Sequence, residues 1–538
     1  MKFHSFNRTA RHALRTWGRA GFLLILLALG STAGPALGAT AKKPPGDALF
    51  NDGKIRTFQI DIAPPMLETL KKNERAYVPA TVTVDGKVFK DVGVHLKGMG
   101  SFQSLAQKPS FSVKFDRYTP DQHYLGLSKL MLNNSSQDGT YLAELLATQM
   151  FRDAGVPAAR VTHAFVEQNG RKLGLYVLIE AMNKDFLKQH FKSAKGNLYE
   201  AYLQDIDQQL DIDGGTDKTQ SDRKRLLEVC NTTNVLERWA KLPEVFNVDN
   251  YLSHCALEMF VAHTDGYALN RNNYRLYHDP SAGRFTMITH GLDWGFANAG
   301  APVRPPYNSI ITRAVIGTPA GREAFNVRQR ELFTNFFRLE TFSNRVATAV
   351  SRLKAAAHDT NEAKQFAGYG QDMLNHISAR YLVVSNRLAA PEPQPLRFAT
   401  NGVALLTGWR TVKKTGNAAL DITTVEGRTT LYIKAAGENT VASWRTSVIL
   451  PVGKFRFTGE ARAAQVTGDA GDTVAGAGLR ISGGKLTQKL SGDAAWTKTE
   501  YEFEVTAEGE EKELVCELRC RQGEAWFDSP SLRLTRVK

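Results

Sequence analysis

One break divides this chain. Ala389-Ala390-Pro391-Glu392-Pro393-Gln394-Pro395 sets three prolines in alternate positions. Such a run neither continues a helix nor joins a sheet centre, because each ring fixes φ and removes an N–H donor. Residues 389–397 therefore read as a linker between two separately patterned parts, and 538 residues leave room for both. After the break the texture is all-β. Thr430–Lys434, Lys454–Thr458, Gly478–Ser482 and Thr499–Val505 alternate apolar and polar residues between glycine-rich turns, the pattern of an antiparallel sandwich or jelly roll over 398–538. Trp409, Trp444 and Trp496 are candidates for stacking on a sugar ring; burial in the sandwich core is the alternative.

The N-terminus reads as a targeting segment. Arg8, Arg11, Arg15 and Arg19 precede an apolar run, Phe22–Leu29, and Ala36 and Gly38 are small residues placed for cleavage before Ala39. The run is shorter than the roughly 20 residues that span a bilayer. The expectation is a signal peptide over 1–38, a polar linker over 39–49, and an exported protein that is periplasmic, cell-surface or extracellular, with no stable membrane span after cleavage. The net charge of +14 favours anionic partners. No basic stripe with interleaved aromatics accompanies it, so nucleic acid is not expected. Export permits a disulfide between Cys230 and Cys255. Cys516 and Cys520, four apart on a strand, lie about 13 Å apart, beyond the roughly 7 Å a disulfide tolerates. Asp205, Asp207, Asp211, Asp213 and Asp217 miss the spacing of a calcium loop and read as a solvated loop.

The first part, 50–388, opens with strands. Ala80–Lys90 is a hairpin turning at Asp85-Gly86, and its second strand runs on to Lys97. Gly98-Met99-Gly100-Ser101 follows as a small-residue loop. Ser110–Phe115 and Lys129–Asn133 are further strands. Leu142, Leu145, Leu146, Met150 and Phe151 mark a helix over 138–154 that carries Glu144. A hairpin over 161–180 turns at Asn169-Gly170. Helices then dominate, and Val248–His263 leads into a compact motif: His263-x-Asp265-x-x-x-x-Asn270, two apolar strands, then Asp293-Trp294-Gly295.

That order of parts suits phosphoryl transfer, which needs a positioned hydroxyl, metal on the phosphates and charge neutralisation. Asp265 is the candidate to accept the hydroxyl proton. Asn270 and Asp293 are candidate metal ligands. Lys114 or Lys97, paired with Glu144, would hold the nucleotide phosphates, and Gly98, Gly100 and Ser101 would lie against them. The fold class expected is α+β, a two-lobed kinase-like domain followed by the β-sandwich.

Several stretches resemble the spore coat protein H (CotH) kinase family. They include Val92–Gly98, Lys108–Phe115, Leu130–Asn134, Phe151–Pro157, Gly174–Glu180, Gly196–Tyr199, Asn272–Tyr277 and Leu292–Phe296. The resemblance implies an atypical kinase fold and ATP-dependent phosphorylation of protein serines or threonines with Mg2+ or Mn2+, and a serine-rich protein is a candidate substrate. It also makes Asn273, the asparagine before Tyr274, the alternative metal ligand to Asn270. Two positions depart from the family pattern: His95 replaces an arginine, and Gly291 replaces the first aspartate of Asp-x-Asp. The competing expectation is a catalytically degenerate envelope or coat protein, in which the kinase fold binds a partner and the sandwich holds a cell-surface glycan.

Overall fold

The computed structural model describes residues 43–390, 395–468, 474–506 and 509–537. The expected signal peptide and the linker residues 391–394 lie outside them. The chain begins with α1 (Asp47–Asn51), β1 (Arg56–Asp61), α2 (Pro64–Lys72), β2 (Val78–Val84), β3 (Lys87–Lys97), β4 (Ser110–Lys114) and β5 (Lys129–Asn133). It continues through α3 (Ala143–Asp153), β6 (Val161–Gln168) and β7 (Arg171–Glu180). The seven strands close into a barrel in the order β1-β2-β3-β4-β5-β7-β6, with β1 and β6 parallel at the seam. Alternation sorts the side chains. Phe58, Ile60, Val82, Val94, Leu96, Phe111, Val113, Leu130 and Leu132 fill the interior. His95, Lys97, Ser112, Lys114, Lys129 and Met131 therefore fall on the other face of β3–β5.

The helix expected over 138–154 begins later, at Ala143. Asp138 takes the N-terminal role: its carboxylate accepts from the Thr140 and Ala143 N–H groups, each at 2.9 Å. A side chain that satisfies these orphan donors ends the preceding turn and starts the helix. Similarly, α1 occupies the end of the segment expected to be linker.

Next come α4 (Lys184–His190), β8 (Leu198–Ala201), β9 (Asp211–Gly214), α5 (Ser221–Cys230), α6 (Val235–Val245) and α7 (Val248–Phe260). They are followed by α8 (Tyr267–Asn270), β10 (Tyr274–Asp279), β11 (Arg284–Thr289), α9 (Ile310–Val315), α10 (Pro319–Phe336), α11 (Leu339–Ala355) and α12 (Thr360–Ala389). The four strands form one sheet, β11-β10-β8-β9. Every residue of α7 from Tyr251 to Phe260 is buried, so this helix is the axis of the helical part. The acidic stretch is not simply solvated. Asp205 is buried and accepts from Tyr267 Oη and Ile310 N, both at 2.8 Å; Asp213 pairs with Arg275 at 2.5 Å. All four cysteines are buried free thiols, so Cys230 and Cys255 do not form the bridge that export would permit.

Arg380 on α12 is fully buried. It donates to five backbone carbonyls: Phe260 (3.1 Å) and Met259 at the end of α7, and Ala299 (2.9 Å), Ala301 (2.6 Å) and Pro302 (3.0 Å) beyond Asp293.

The C-terminal part comprises β12 (Val403–Leu405), β13 (Arg410–Thr415), β14 (Ala418–Val425), β15 (Arg428–Leu450), β16 (Gly453–Thr467), β17 (Gly476–Ile481), β18 (Gly492–Val505), β19 (Glu510–Asp528) and β20 (Arg533–Val537). These antiparallel strands fold over one core that includes Ile433, Trp444, Phe455, Phe457, Leu514 and Phe527, and the result is the expected β-sandwich. Cys516 and Cys520 share β19. The sandwich is anchored to the preceding part through Glu511, whose carboxylate accepts from Arg304 (2.6 Å) and Arg387 (3.0 Å). Removing this acid leaves two half-buried guanidiniums facing each other. Glu511→Ala is expected to lower stability by about 2 kcal/mol, read as a shifted urea midpoint with an unchanged slope.

Candidate active site

Three distant segments meet at one place. Lys97 ends β3, Glu144 lies in the first turn of α3, and Asp293 follows β11. Burial pulls the Lys97 amine down, and Glu144, Asp293 and Glu200 act against that as neighbouring negative charges. Lys97 makes no direct salt bridge with any of them, so the charges face one another across a gap. Glu144 is buried and its Oε2 has no hydrogen-bond partner. Burial, with Asp293 nearby, pushes its carboxyl up to about 7 against the opposing pull of Lys97. Burial likewise raises Asp293 above its usual range, with Lys97 pulling the other way. Two carboxylates thus share one lysine in a desolvated spot.

The loop between α7 and β10 is built around buried charge. Glu258, on α7, accepts from the Tyr267 N–H at 3.0 Å and the Ala268 N–H at 3.3 Å, which caps α8. Its Oε1 lies 3.4 Å from His263 Nδ1, while His263 Nε2 bonds to the Gly291 carbonyl at 2.9 Å. Burial opposes charge on both groups, yet Glu258 holds His263 above its ordinary range and the histidines hold Glu258 below its own. This pair bolts the loop to the strand that leads into Asp293.

Asp265 faces three amides. Asn270 Nδ2 donates to Oδ1 at 2.6 Å, and Asn272 and Asn273 donate to Oδ2 at 2.9 Å each. Asn272 is fully engaged, because its Oδ1 also accepts from Leu203 N at 3.2 Å. Asn270 and Asn273 present nitrogen to Asp265, which leaves each amide oxygen on the opposite side. Gly291 sits at φ +60°, and a Cβ there would lie 2.8 Å from Asn273 Cγ. In this chain the Asn273 amide fills the space a side chain at 291 would need. His95, the other departure, is pulled down by burial, so it is neutral at pH 7 and supplies no arginine-like charge.

The remaining candidates lie around this centre. The 98–101 loop continues directly from Lys97; Arg75 donates to the Gly98 carbonyl, and Asn134 Nδ2 to the Ser101 carbonyl at 3.3 Å. Lys114 does not join Glu144. It stands 4.0 Å from Asp116 and lines a cavity of about 630 Å³ with Lys129, Met131, Met182, Asn183 and Leu198. Lys129 in its lining acts by its charge on Glu200, which in turn acts on Lys97. The residues that sequence reasoning missed are Glu258, Asn272, Glu200 and Arg275. The last two pair at 2.7 Å. The Asn272-Asn273 doublet was the one visible signal.

Among the described residues, no group of three or more His, Cys, Asp or Glu side chains is placed to hold a metal. A protein-only cage is not what Mg2+ requires, since one or two carboxylates plus substrate phosphates suffice. The orphaned Glu144 oxygen beside a raised Asp293 is a site that added positive charge would relieve, so the residues fit a divalent ion bound with phosphate. In the sandwich, Trp444 is buried and Trp409 stacks on Phe457. Trp526 lies between Tyr432 (5.3 Å) and Arg462 (5.4 Å). Of the three tryptophans weighed as sugar platforms against core burial, Trp496 alone is half-exposed outside the core, with Arg428 over its ring at 4.9 Å.

The family model described as CotH kinase protein matches residues 94–387, over half of the chain, and the chain belongs to this family. Inner spore coat protein H of Bacillus subtilis (strain 168) is 22% identical over 329 residues, covering 56% of this chain and 88% of that protein. Among solved structures, TmCBM61 in complex with β-1,4-galactotriose aligns at 12% identity and a TM-score of 0.19, over 26% of this chain and 98% of its own. The CBM22-1 xylan-binding domain from Paenibacillus barcinonensis Xyn10C aligns at 14% identity and a TM-score of 0.17, over 25% and 88%.

The Glu144 carboxyl sits above its ordinary 4.5, so the fold favours its neutral form. Stability linked to it is complete below about pH 4.5 and is lost as the pH rises through about 7. The ligand-free protein is expected to lose on the order of 2 kcal/mol between about pH 5 and pH 8 relative to Glu144→Gln. Urea unfolding of both proteins at the two pH values checks this; parallel curves would contradict the assignment.

Proposed function

We propose that this chain is a two-lobed protein kinase that transfers the ATP γ-phosphoryl group to serine or threonine hydroxyls of a protein at a coat or cell surface. The barrel with α3 is one lobe and the helical part is the other. The observation that carries the reading is the convergence of Lys97, Glu144 and Asp293 from three separate segments on one half-buried point. The name of the Bacillus subtilis relative supports the coat location.

In this reading the base and ribose of ATP occupy the cavity lined by Lys114, Lys129 and Met182. The phosphates run toward the 98–101 loop and Lys97. Glu144, once ionised, holds Lys97 in place and keeps it charged beside the phosphates. Asp293 holds Mg2+, or Mn2+, and Asn270 or Asn273 offers an amide oxygen to it. When bound, the ion neutralises charge on the transferring phosphoryl group and fixes its orientation. Asp265 accepts the proton of the attacking hydroxyl, and its three amide contacts keep it aimed. A carboxylate has about four acceptor sites, so one remains for the substrate.

A second reading, a nucleotide-binding but inactive coat protein, is favoured by Gly291 and by neutral His95, which together remove one negative and one positive charge near the site. Radiolabel transfer from ATP with Mg2+ to a serine-rich acceptor separates the two. Wild type is expected to label the acceptor, and Asp265→Asn and Asp293→Asn to label it at least 100-fold more slowly, roughly the range for losing a general base. Equal labelling by wild type and Asp265→Asn, or none by either, would sink the kinase reading. Thermal stabilisation by ATP with Mg2+ but no transfer would establish the second.

A further inference from the structure

A second cleft lies behind α3, away from the Lys97 cluster. It has a volume of about 400 Å³, and α1, α3, β6 and α11 supply its walls. Its charged side chains are of one sign. Arg152 projects from α3, and Arg345 and Arg352 from α11; its described lining includes no carboxylate. Gln149, Thr162 and Asn344 add amide and hydroxyl donors. Other titratable groups are few. His163 faces the cleft but is buried, bonds to the Tyr141 carbonyl at 2.8 Å and is pulled down by burial. Asp153 pairs with Arg345 from outside the lining.

The three guanidiniums are under-used. Arg345 Nη1 is buried with no hydrogen-bond partner. The Arg352 guanidinium, which is exposed, forms no hydrogen bond or ion pair among the described residues. Arg152 satisfies only the Ala159 carbonyl. Burial pulls Arg152 down to about 10, with Asp153 and Glu180 acting against it and Arg160 and Arg345 adding repulsion. Asp153 answers part of this positive charge from outside the lining and leaves donors open inside the cleft, Arg345 Nη1 among them. A planar guanidinium offers paired N–H groups that match the oxygens of a phosphate. The volume exceeds that of a bare phosphate and suits a small organic moiety attached to it.

We propose that the cleft formed by Arg152, Arg345 and Arg352 is a binding site for a small phosphate monoester. The phosphate sits among the guanidiniums and the organic part lies along Gln149 and Thr162. Because Arg152 and Gln149 share α3 with Glu144, the occupied cleft also fixes the helix that carries the acid facing Lys97. The binding itself does not rest on the kinase reading.

Calorimetry on the full chain, at constant ionic strength near pH 7, tests this with inorganic phosphate, glycerol phosphate and malonate. Wild type is expected to bind both phosphates, glycerol phosphate the more tightly. Arg352→Glu, at an exposed position with no partner to lose, is expected to weaken both by roughly tenfold or more. Arg345→Gln is read alongside it and should weaken them in the same direction. Lys97→Met, which removes the phosphate-facing lysine of the other site, should bind as wild type does. Undiminished binding by Arg352→Glu and Arg345→Gln, loss of binding in Lys97→Met, or no binding by wild type would each overturn the proposal. Malonate binding as tightly as phosphate would overturn the phosphate class.

Discussion

A fully buried arginine with no carboxylate holds the centre of the first domain. Arg380 spends its five N–H donors on backbone carbonyls at the end of α7 and in the segment beyond Asp293. The Phe260 and Ala301 carbonyls would otherwise be buried acceptors without donors, each a cost of roughly 1–3 kcal/mol. Both strands of contact lead to the site. The α7 carbonyls lie three and four residues before His263, and the other three lie six to nine residues after Asp293. One side chain on α12 therefore sets the distance between the loop that carries Asp265 and the turn that carries Asp293. Two turns further along α12, Arg387 meets Glu511, so the sandwich is tied to the same helix.

The site itself is poised by desolvation. Lys97, Glu144 and Asp293 are near enough to sense one another and too far apart to pair directly. Pairing them would satisfy the charges and close the gap. Left apart, they keep two acids raised above their ordinary range and an amine lowered below its own around one gap. The buried Glu258–His263 pair serves a different purpose. Loop N–H groups take up the acid and the Gly291 carbonyl takes up one side of the imidazole, so the pair provides rigidity next to the Lys97 cluster.

Much of this was legible in the sequence and some was not, for identifiable reasons. The hairpins at Asp85-Gly86 and Asn169-Gly170 and the apolar face of α3 follow from turn chemistry and periodicity, which are local. The parallel β1–β6 contact that closes the barrel is not local, and no residue in either strand announces it. Lys97 and Lys114 both fall on the outward face of the barrel by alternation, so period alone does not separate them; the separation comes from where α3 crosses the sheet. Asp265, Asn270 and Asp293 could be named by spacing, whereas the triple amide clasp on Asp265 depends on Asn272 and Asn273 folding back, with Asn273 at φ +47°. Arg380 looked like any helical arginine, since its carbonyl partners are about 80 and 120 residues away in sequence.

Gly291 carries the sharpest constraint on chemistry. Its backbone occupies the left-handed region, where a side chain is strained, and the Asn273 amide closes the space that a Cβ would enter. The same amide donates to Asp265, and the Gly291 carbonyl receives the His263 imidazole. Replacing this glycine with aspartate would therefore disturb three contacts of the loop at once, besides adding a third carboxylate to a spot where two already resist ionisation. In this chain the missing carboxylate is not a free vacancy that one substitution restores. Asp293 and Glu144 are left as the neighbouring acids, and the geometry around Gly291 holds the Asn273 amide against Asp265.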